Sequence, residues 1–415
     1  MNWLAGFRRD AVIGWRNLGR NPRRTALAWG AIAIAQIAMV WMACFMKGYT
    51  STLFDTFTGP AVGHLQVHAP RWREDGDMGR TIRDARAVAA AIAGVEGVAL
   101  VSPRVYGPVL ATRGTLGHVA QVSGVDLRLE TREGGLLAGL GAGASLRAGE
   151  AVLGEGLARE LGAKPGNTIA VMGTAADGGV ASGLVRVKAV VRTPVDQVNH
   201  AGIVLGLAAA QELFAMPDRV HEFVVRCRDA ARIPAVAGVL RAHPSVRGLE
   251  VLTWRELAPQ IASLLTISDT ITKVILVLLF VSTVAGVANT MLMATFERSH
   301  ELGMLLALGV TRGRLVRMLV IEALVLGFAG ALIGSAIGMA LVWPGMVHGI
   351  DLAAITGGAK GGFDIGGMSV GKLYLIPDGR GLWVGVVAVM ATSVIAAILP
   401  ARRIARLNPA EILRS

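Results

Sequence analysis

Four uncharged apolar runs decide what this chain can fold into. Residues 25–46, TALAWGAIAIAQIAMVWMACFM, carry no charge over 22 positions, enough for a helix to cross roughly 30 Å of hydrocarbon. Residues 274–296 form a second run, 318–343 a third broken only by Glu322, and 382–399 a shorter fourth closed by Pro400. In lipid a backbone must satisfy its own polar groups, so each run reads as a helix. Between 85 and 265 the apolar stretches are short and interrupted. The predicted fold is a polytopic α-helical membrane protein with four transmembrane helices and a large α+β domain between the first and second.

Charge orients it. Arg8, Arg9, Arg16, Arg20, Arg23 and Arg24 precede the first run, Arg298, Arg312, Arg314 and Arg317 lie between the second and third, and Arg402, Arg403, Arg406 and Arg414 follow the fourth. The positive-inside rule makes these segments and both termini cytoplasmic and exports the loop between the first two spans. A net charge of +12 would suggest nucleic acid in a soluble chain. Here the cations flank apolar runs, which points to anionic lipid head groups and excludes nucleic acid. An apolar fraction of 53% and a mean hydropathy of +0.55 suit a mixture of membrane and exported parts. A cleavable signal peptide is disfavoured because the first run exceeds the usual apolar core of about 7–15 residues.

The expected organisation runs in chain order. It begins with an interfacial amphipathic helix over 1–22, where Trp3, Phe7 and Trp15 recur between arginines. Spans follow at 23–47, 269–296, 315–344 and 382–400. The exported domain with its stalk takes 48–268, a cytoplasmic helix and loop 297–314, an outer loop 345–381 and a tail 401–415. Within the domain, strand-like runs at 64–67, 107–112, 118–125, 168–172, 184–191 and 223–226 alternate with helix-like runs at 82–93, 155–161 and 233–242. This pattern suggests two subdomains. The glycine-rich stretches 134–143 and 177–183 read as loops. Residues 254–265 read as a helix running directly into the second span.

Catalytic readings fail on spacing. His64 and His68 lack a third ligand nearby and read as surface histidines. Cys44 and Cys227 lie in dissimilar surroundings, so neither a disulfide nor a metal site is expected. The fragments Gly139-Leu140-Gly141 and Gly154-Glu155-Gly156 lack the rest of a dinucleotide fingerprint. Residues 366–372 spell GxxxxGK, but Leu373 stands where a Mg²⁺-binding Ser or Thr would be needed. No catalytic residue, cofactor or metal is therefore assigned to this chain.

The most informative segment is NTMLMATFERSHELGMLLALG, residues 289–309. Leu302, Leu305, Leu306 and Leu308 form an apolar ridge between Glu297, Arg298 and Glu301 on one side and the turn at Gly309 on the other. The pattern ExxxxLGxLxALG resembles that of FtsX/MacB-type ABC transporter permeases. The C-terminal PARRIARLNPAEILR from Pro400 resembles their usual ending. GHLQVH from Gly63, VLGEGLA from Val152 and KPGNT from Lys164 are similar to segments of their periplasmic domain. Residues 192–196, RTPVD, depart from the glycine-containing turn expected there. The resemblance is strongest to the lipoprotein-releasing, LolC/LolE-like members, which also lack a fused ATPase.

That resemblance implies a multi-pass protein of a bacterial inner membrane. It would work with a second permease and a separate cytoplasmic ATPase that carries the Mg-ATP. The implied coupling residues are Glu297, Arg298, Glu301, Gly303, Leu305, Leu308 and Gly309. The cargo would be a lipoprotein or another lipophilic molecule; an FtsX-like regulator of a periplasmic cell-wall hydrolase is the alternative. An ion-coupled carrier is disfavoured because paired intramembrane charges are lacking. Glu322 reads as half of an interfacial ion pair with Arg317. Gly330, Gly334 and Gly338, four apart, permit close helix approach, either at a permease–permease seam or against the chain's own spans.

Overall fold

The structure, a computed structural model, describes residues 22–141, 144–297, 299–352, 363–365 and 368–405. The amphipathic helix expected over 1–22 lies outside the described residues except for Pro22, as do Arg298, Gly366 and the tail beyond 405. Two units are distinguished: residues 1–50, 265–350 and 373–415, and residues 51–264 and 351–372.

The first unit is built from four long apolar helices, each long enough to cross a membrane. They belong to Pro22–Phe57, Pro259–Glu297, Arg312–Val347 and Gly379–Ala405. Ala28, Ile32, Val287, Ala323, Leu326, Ala331, Val389 and Ala396 form their common core. Much of that core is alanine, which lets helix backbones approach closely where lipid removes any hydrophobic drive to associate. The second span is the least covered, with Val277, Leu278 and Val281 more than half exposed.

Two helix boundaries differ from expectation. Residues 254–265 do not form one helix: Trp254–Leu257 is a separate turn, and Ala258 leaves the helical region at φ −132°, ψ 68°. Pro259 is the cause, because its ring disfavours helical backbone at the residue before it. The fourth helix also passes Pro400 and continues to Ala405. A proline removes one backbone donor, a loss that membrane helices tolerate.

The second unit is organised by nine strands: β1 (Leu65–His68), β2 (Val98–Arg113), β3 (Leu116–Val125), β4 (Glu150–Gly154), β5 (Thr168–Thr174), β6 (Val180–Val191), β7 (Gly202–Gly206), β8 (Glu222–Cys227) and β9 (Glu250–Thr253). Their order is β3-β7-β4-β6-β5-β2-β8-β1-β9, with β3 also paired to β2. Six strands therefore close into a ring, β2-β3-β7-β4-β6-β5, which leaves no free edge among them. β2 is long enough to pair with different strands along its two halves. Residues 98–104 pair with β8, and 104–113 pair with β3. The inner face of the ring is small and apolar, with Val109, Ala111, Val122, Ala151, Val171 and Ile203 buried. The helices Ala85–Ala93 and Ile233–Ala242 bury Val88, Ile92, Val236 and Leu240.

The strands absent from the sequence reading are β4, β7, β9 and the first half of β2. β4 and β7 are five residues each and fully or nearly fully buried. A short continuous apolar run of that kind lacks the alternation that marks a half-exposed strand. The 177–183 stretch is a hairpin turn with β6 already begun at Val180. The 134–143 stretch buries Leu136 and Leu137 in a small core with Val152 and Val204.

Candidate functional site

In the first unit the helix Ser299–Ala307 follows the second span directly. Leu302 is buried against Leu315, and Leu305 and Leu306 pack on that pair. Three of the four ridge leucines, Leu302, Leu305 and Leu306, thus turn inward and fix the helix to the start of the third span. The opposite face carries His300, Glu301, Met304 and, just past its end, Leu308, all exposed, and Leu308 keeps 81% of its surface uncovered. At roughly 100° per residue, positions 300, 301, 304 and 308 share one stripe; Glu297, the last residue of the preceding helix, is exposed as well. Gly303 is buried, and Gly309 ends the helix at φ +88°, a left-handed conformation that favours glycine.

Of the sequence-predicted coupling residues, Glu301 and Leu308 therefore share the open stripe, and Glu297 is exposed ahead of it. Leu305 belongs to the supporting contact, and Arg298 lies outside the described residues. Met304, which the leucine ridge masked, completes the exposed stripe. The signal was present in the helical spacing from Glu301 to Leu308.

The glycines of the third span face the chain's own first span. An added Cβ would come within 2.8 Å of Ile32 at Gly330, 2.7 Å of Ala33 O and Gln36 Cβ at Gly334, and 3.1 Å of Val40 at Gly338. The stripe that was open to a permease–permease seam is thus filled by packing within the chain. Replacing Gly334 by Val should cost about 1–3 kcal/mol by overpacking. In detergent the variant should melt below wild type, while Gly313→Ala, which meets open space, should not. Equal melting of Gly334→Val and wild type would reject this packing. Gln36, unremarked in the sequence, is fully buried there and donates from Nε2 to Ser335 Oγ at 3.0 Å. Glu322 is also buried, at 7% exposure.

In the second unit the polar residues converge where the first long helix ends. That helix closes through a π-turn, Thr58–Val62. Gly63 then turns the chain at φ +72° into β1, where an added Cβ would meet Val224 Cγ1. Ser102, Arg104 and Tyr106 alternate along β2 and so share one face. Arg104 is 2% exposed and spends all its N–H groups. Nε and Nη2 reach Glu130 Oε1 at 3.0 and 2.9 Å, Nη2 reaches Pro60 O at 3.0 Å, and Nη1 reaches Ala61 O at 2.9 Å and Tyr106 Oη at 3.4 Å. Glu130 also accepts from Ser102 Oγ at 2.7 Å and from the Leu136 N–H at 3.0 Å. Tyr106 Oη donates to Glu222 Oε1 at 2.8 Å.

Burial alone would raise the Glu130 pKa, but Arg104 and the donors from Ser102 and Leu136 outweigh it and hold the carboxyl below its ordinary value. Burial also opposes the charge on Arg104, yet Glu130, Tyr106 and Glu222 overcome it and raise its pKa. For Glu222 burial wins, and the carboxyl is raised despite Arg104, Tyr106 and Arg73. The signs give opposite pH behaviour. The Glu130 contribution is present above its unfolded pKa and fades as pH falls through the lower folded value. The Glu222 contribution is complete below its unfolded pKa and is lost as pH rises through the higher folded value. Glu222→Gln should therefore raise the melting temperature at pH 7.5 by a few degrees, with the gain shrinking toward pH 4. A constant difference across that range would contradict the assignment.

These groups border a cleft of about 500 Å³. Pro60 and Val62 from the helix end, Trp72, Gln121, Leu136 and Glu222 contribute to its walls. The histidines belong to the same region and correct the surface reading. His68 is fully buried, with Nδ1 3.4 Å from Glu250 Oε2. His64 is half-buried, and its Nδ1 accepts the Cys227 N–H at 2.9 Å. β1 lies between β8 and β9, which covers it on both edges. Cys44 and Cys227 are both buried and free. Among the described residues no group of three or more His, Cys, Asp or Glu side chains is placed to hold a metal ion.

Comparison with known proteins matches the two halves separately. Residues 25–243 match the MacB-like periplasmic core domain, and residues 273–409 match the FtsX-like permease C-terminal domain. An uncharacterized ABC transporter permease of Methanocaldococcus jannaschii is 27% identical over 55% of this chain and 54% of its own length. The lipoprotein-releasing system transmembrane protein LolC of Neisseria meningitidis is 24% identical over 98% of this chain and 99% of its own. The chain thus spans about half of the first relative and nearly all of the second. The crystal structure of the periplasmic region of MacB from Actinobacillus actinomycetemcomitans aligns with 48% of this chain and 92% of that one, at 12% identity and a TM-score of 0.34. The four spans, the domain inserted between the first and second, and the two family matches identify the chain as a member of the FtsX/MacB-type ABC transporter permeases.

Proposed function

We propose that this permease couples ATP hydrolysis by a separate cytoplasmic ATPase to motion of its periplasmic domain, and that this motion extracts or exports a lipophilic cargo such as a lipoprotein. The observation that carries the reading is the Ser299–Ala307 helix. It is locked inward through Leu302 on Leu315 and presents Glu301, Met304 and Leu308 outward. A short helix with acids and uncovered apolar side chains on one stripe suits the groove of a soluble partner. By the arginine distribution, this helix and both termini face the cytoplasm of a bacterial inner-membrane protein. The second span, with Val277 and Leu278 outward, is offered to lipid and to a second permease. The cargo class rests on the full-length similarity to a lipoprotein-releasing protein.

The test is purification of the full-length chain with its native partners in mild detergent. An ATPase together with an outer-membrane lipoprotein is the expected set. Recovery of a cell-wall hydrolase or its activator in place of cargo would replace extraction by regulation.

A further inference from the structure

We infer that Arg226, with Arg104, is a mechanical joint between the end of the first long helix and the loop 131–137 of the periplasmic domain. The inference rests on the functional reading above and deepens it by naming positioning residues. A helix end leaves carbonyls without backbone donors, and cations are favoured beside them. Three consecutive carbonyls of the π-turn are held by two arginines from neighbouring strands. Arg226 Nη2 donates to Gly59 O, and Arg104 donates to Pro60 O and Ala61 O.

Arg226 also reaches away from the helix end. Nη1 donates to Glu133 O at 3.3 Å, and Nη2 also donates to Gly134 O. Among the described residues its guanidinium donates to carbonyls, Gly59 O, Glu133 O and Gly134 O, and burial lowers its pKa. Its Nε is buried without a hydrogen-bond partner among the described residues. Burial costs this charge part of its hydration, and among the described residues no carboxylate is hydrogen-bonded to it. The side chain is well explained by what it ties together. Arg104 makes the parallel connection through Glu130, whose Oε2 holds the Leu136 N–H. Helix end and loop are thus linked twice, once through each strand.

Both linked parts line the cleft, Pro60 and Ala61 from the helix end and Leu136 from the loop. Movement of the helix end would carry the loop with it and change the cleft. Arg226 is a positioning residue in this scheme, acting through the backbone it holds.

The experiment is hydrogen exchange on the full-length chain in nanodiscs with its co-purified ATPase, compared without nucleotide and with Mg-ATP plus vanadate. In wild type, exchange at 58–62 and at 131–137 should change together, by about fivefold or more, the lower end of typical coupling between sites. Arg226→Met should keep the response at 58–62 and lose it at 131–137, with Arg226→Lys, a single point cation, in between. A wild-type response at 58–62 without one at 131–137 overturns the joint, and so does an unchanged loop response in Arg226→Met. Absence of any nucleotide response in wild type overturns the functional reading and the joint with it. The wild-type comparison decides the matter even if Arg226→Met fails to fold.

Discussion

Arg104→Met is expected to destabilise the periplasmic domain by about 3–5 kcal/mol, the usual cost of removing one partner from a buried ion pair. Glu130 is 1% exposed and would keep its charge in low dielectric without the guanidinium that holds its pKa down. Pro60 O and Ala61 O would lose their donors as well. Calorimetry of the full-length protein in micelles should show the domain melting sharply lower. The double variant Arg104→Met, Glu130→Gln should recover much of the loss. A neutral amide can still accept from the Leu136 N–H with its carbonyl oxygen while its NH2 group donates to Ser102 Oγ, and buried pairs replaced together are often near neutral. A loss below about 0.5 kcal/mol for the single variant would place it with ordinary surface substitutions and show that the network is not structural.

The largest functional effect is expected on the exposed stripe of the Ser299–Ala307 helix. Glu301→Lys reverses a charge and Leu308→Asp removes the most exposed apolar side chain of the segment. Neither side chain belongs to the Leu302–Leu315 contact, so both variants should still insert. ATPase activity of the reconstituted complex should fall by about tenfold or more, the equivalent of one lost hot spot at an interface. Leu305→Asp is a useful contrast. It should lower stability and activity together, because Leu305 packs inward.

What could be read from the sequence follows from how each signal is encoded. The spans were legible because uncharged length is local, and Thr25–Met46 declares itself without reference to any other segment. The Ser299–Ala307 helix was located by its charges and Gly309, but which of its side chains stay open could not be read from the leucine pattern. The Leu302–Leu315 contact shows that Leu302, Leu305 and Leu306 turn inward while Met304 and Leu308 stay exposed. The network at the root of the domain was not legible. Arg104 and Glu130 lie far along the chain from Glu222 and Arg226; the pairing of β2 with β8 sets Arg104 beside Glu222, and Glu130 joins them through its bonds to Arg104. The same holds for His68, whose burial depends on strands at 222–227 and 250–253.

The most direct test of the account is site-specific photo-crosslinking in intact cells from Met304, on the open face, with Leu302, on the buried face, as the reference. The account predicts a nucleotide-binding ATPase subunit crosslinked from Met304 and not from Leu302. A periplasmic protein crosslinked from Met304, or equal ATPase capture from both positions, would contradict it.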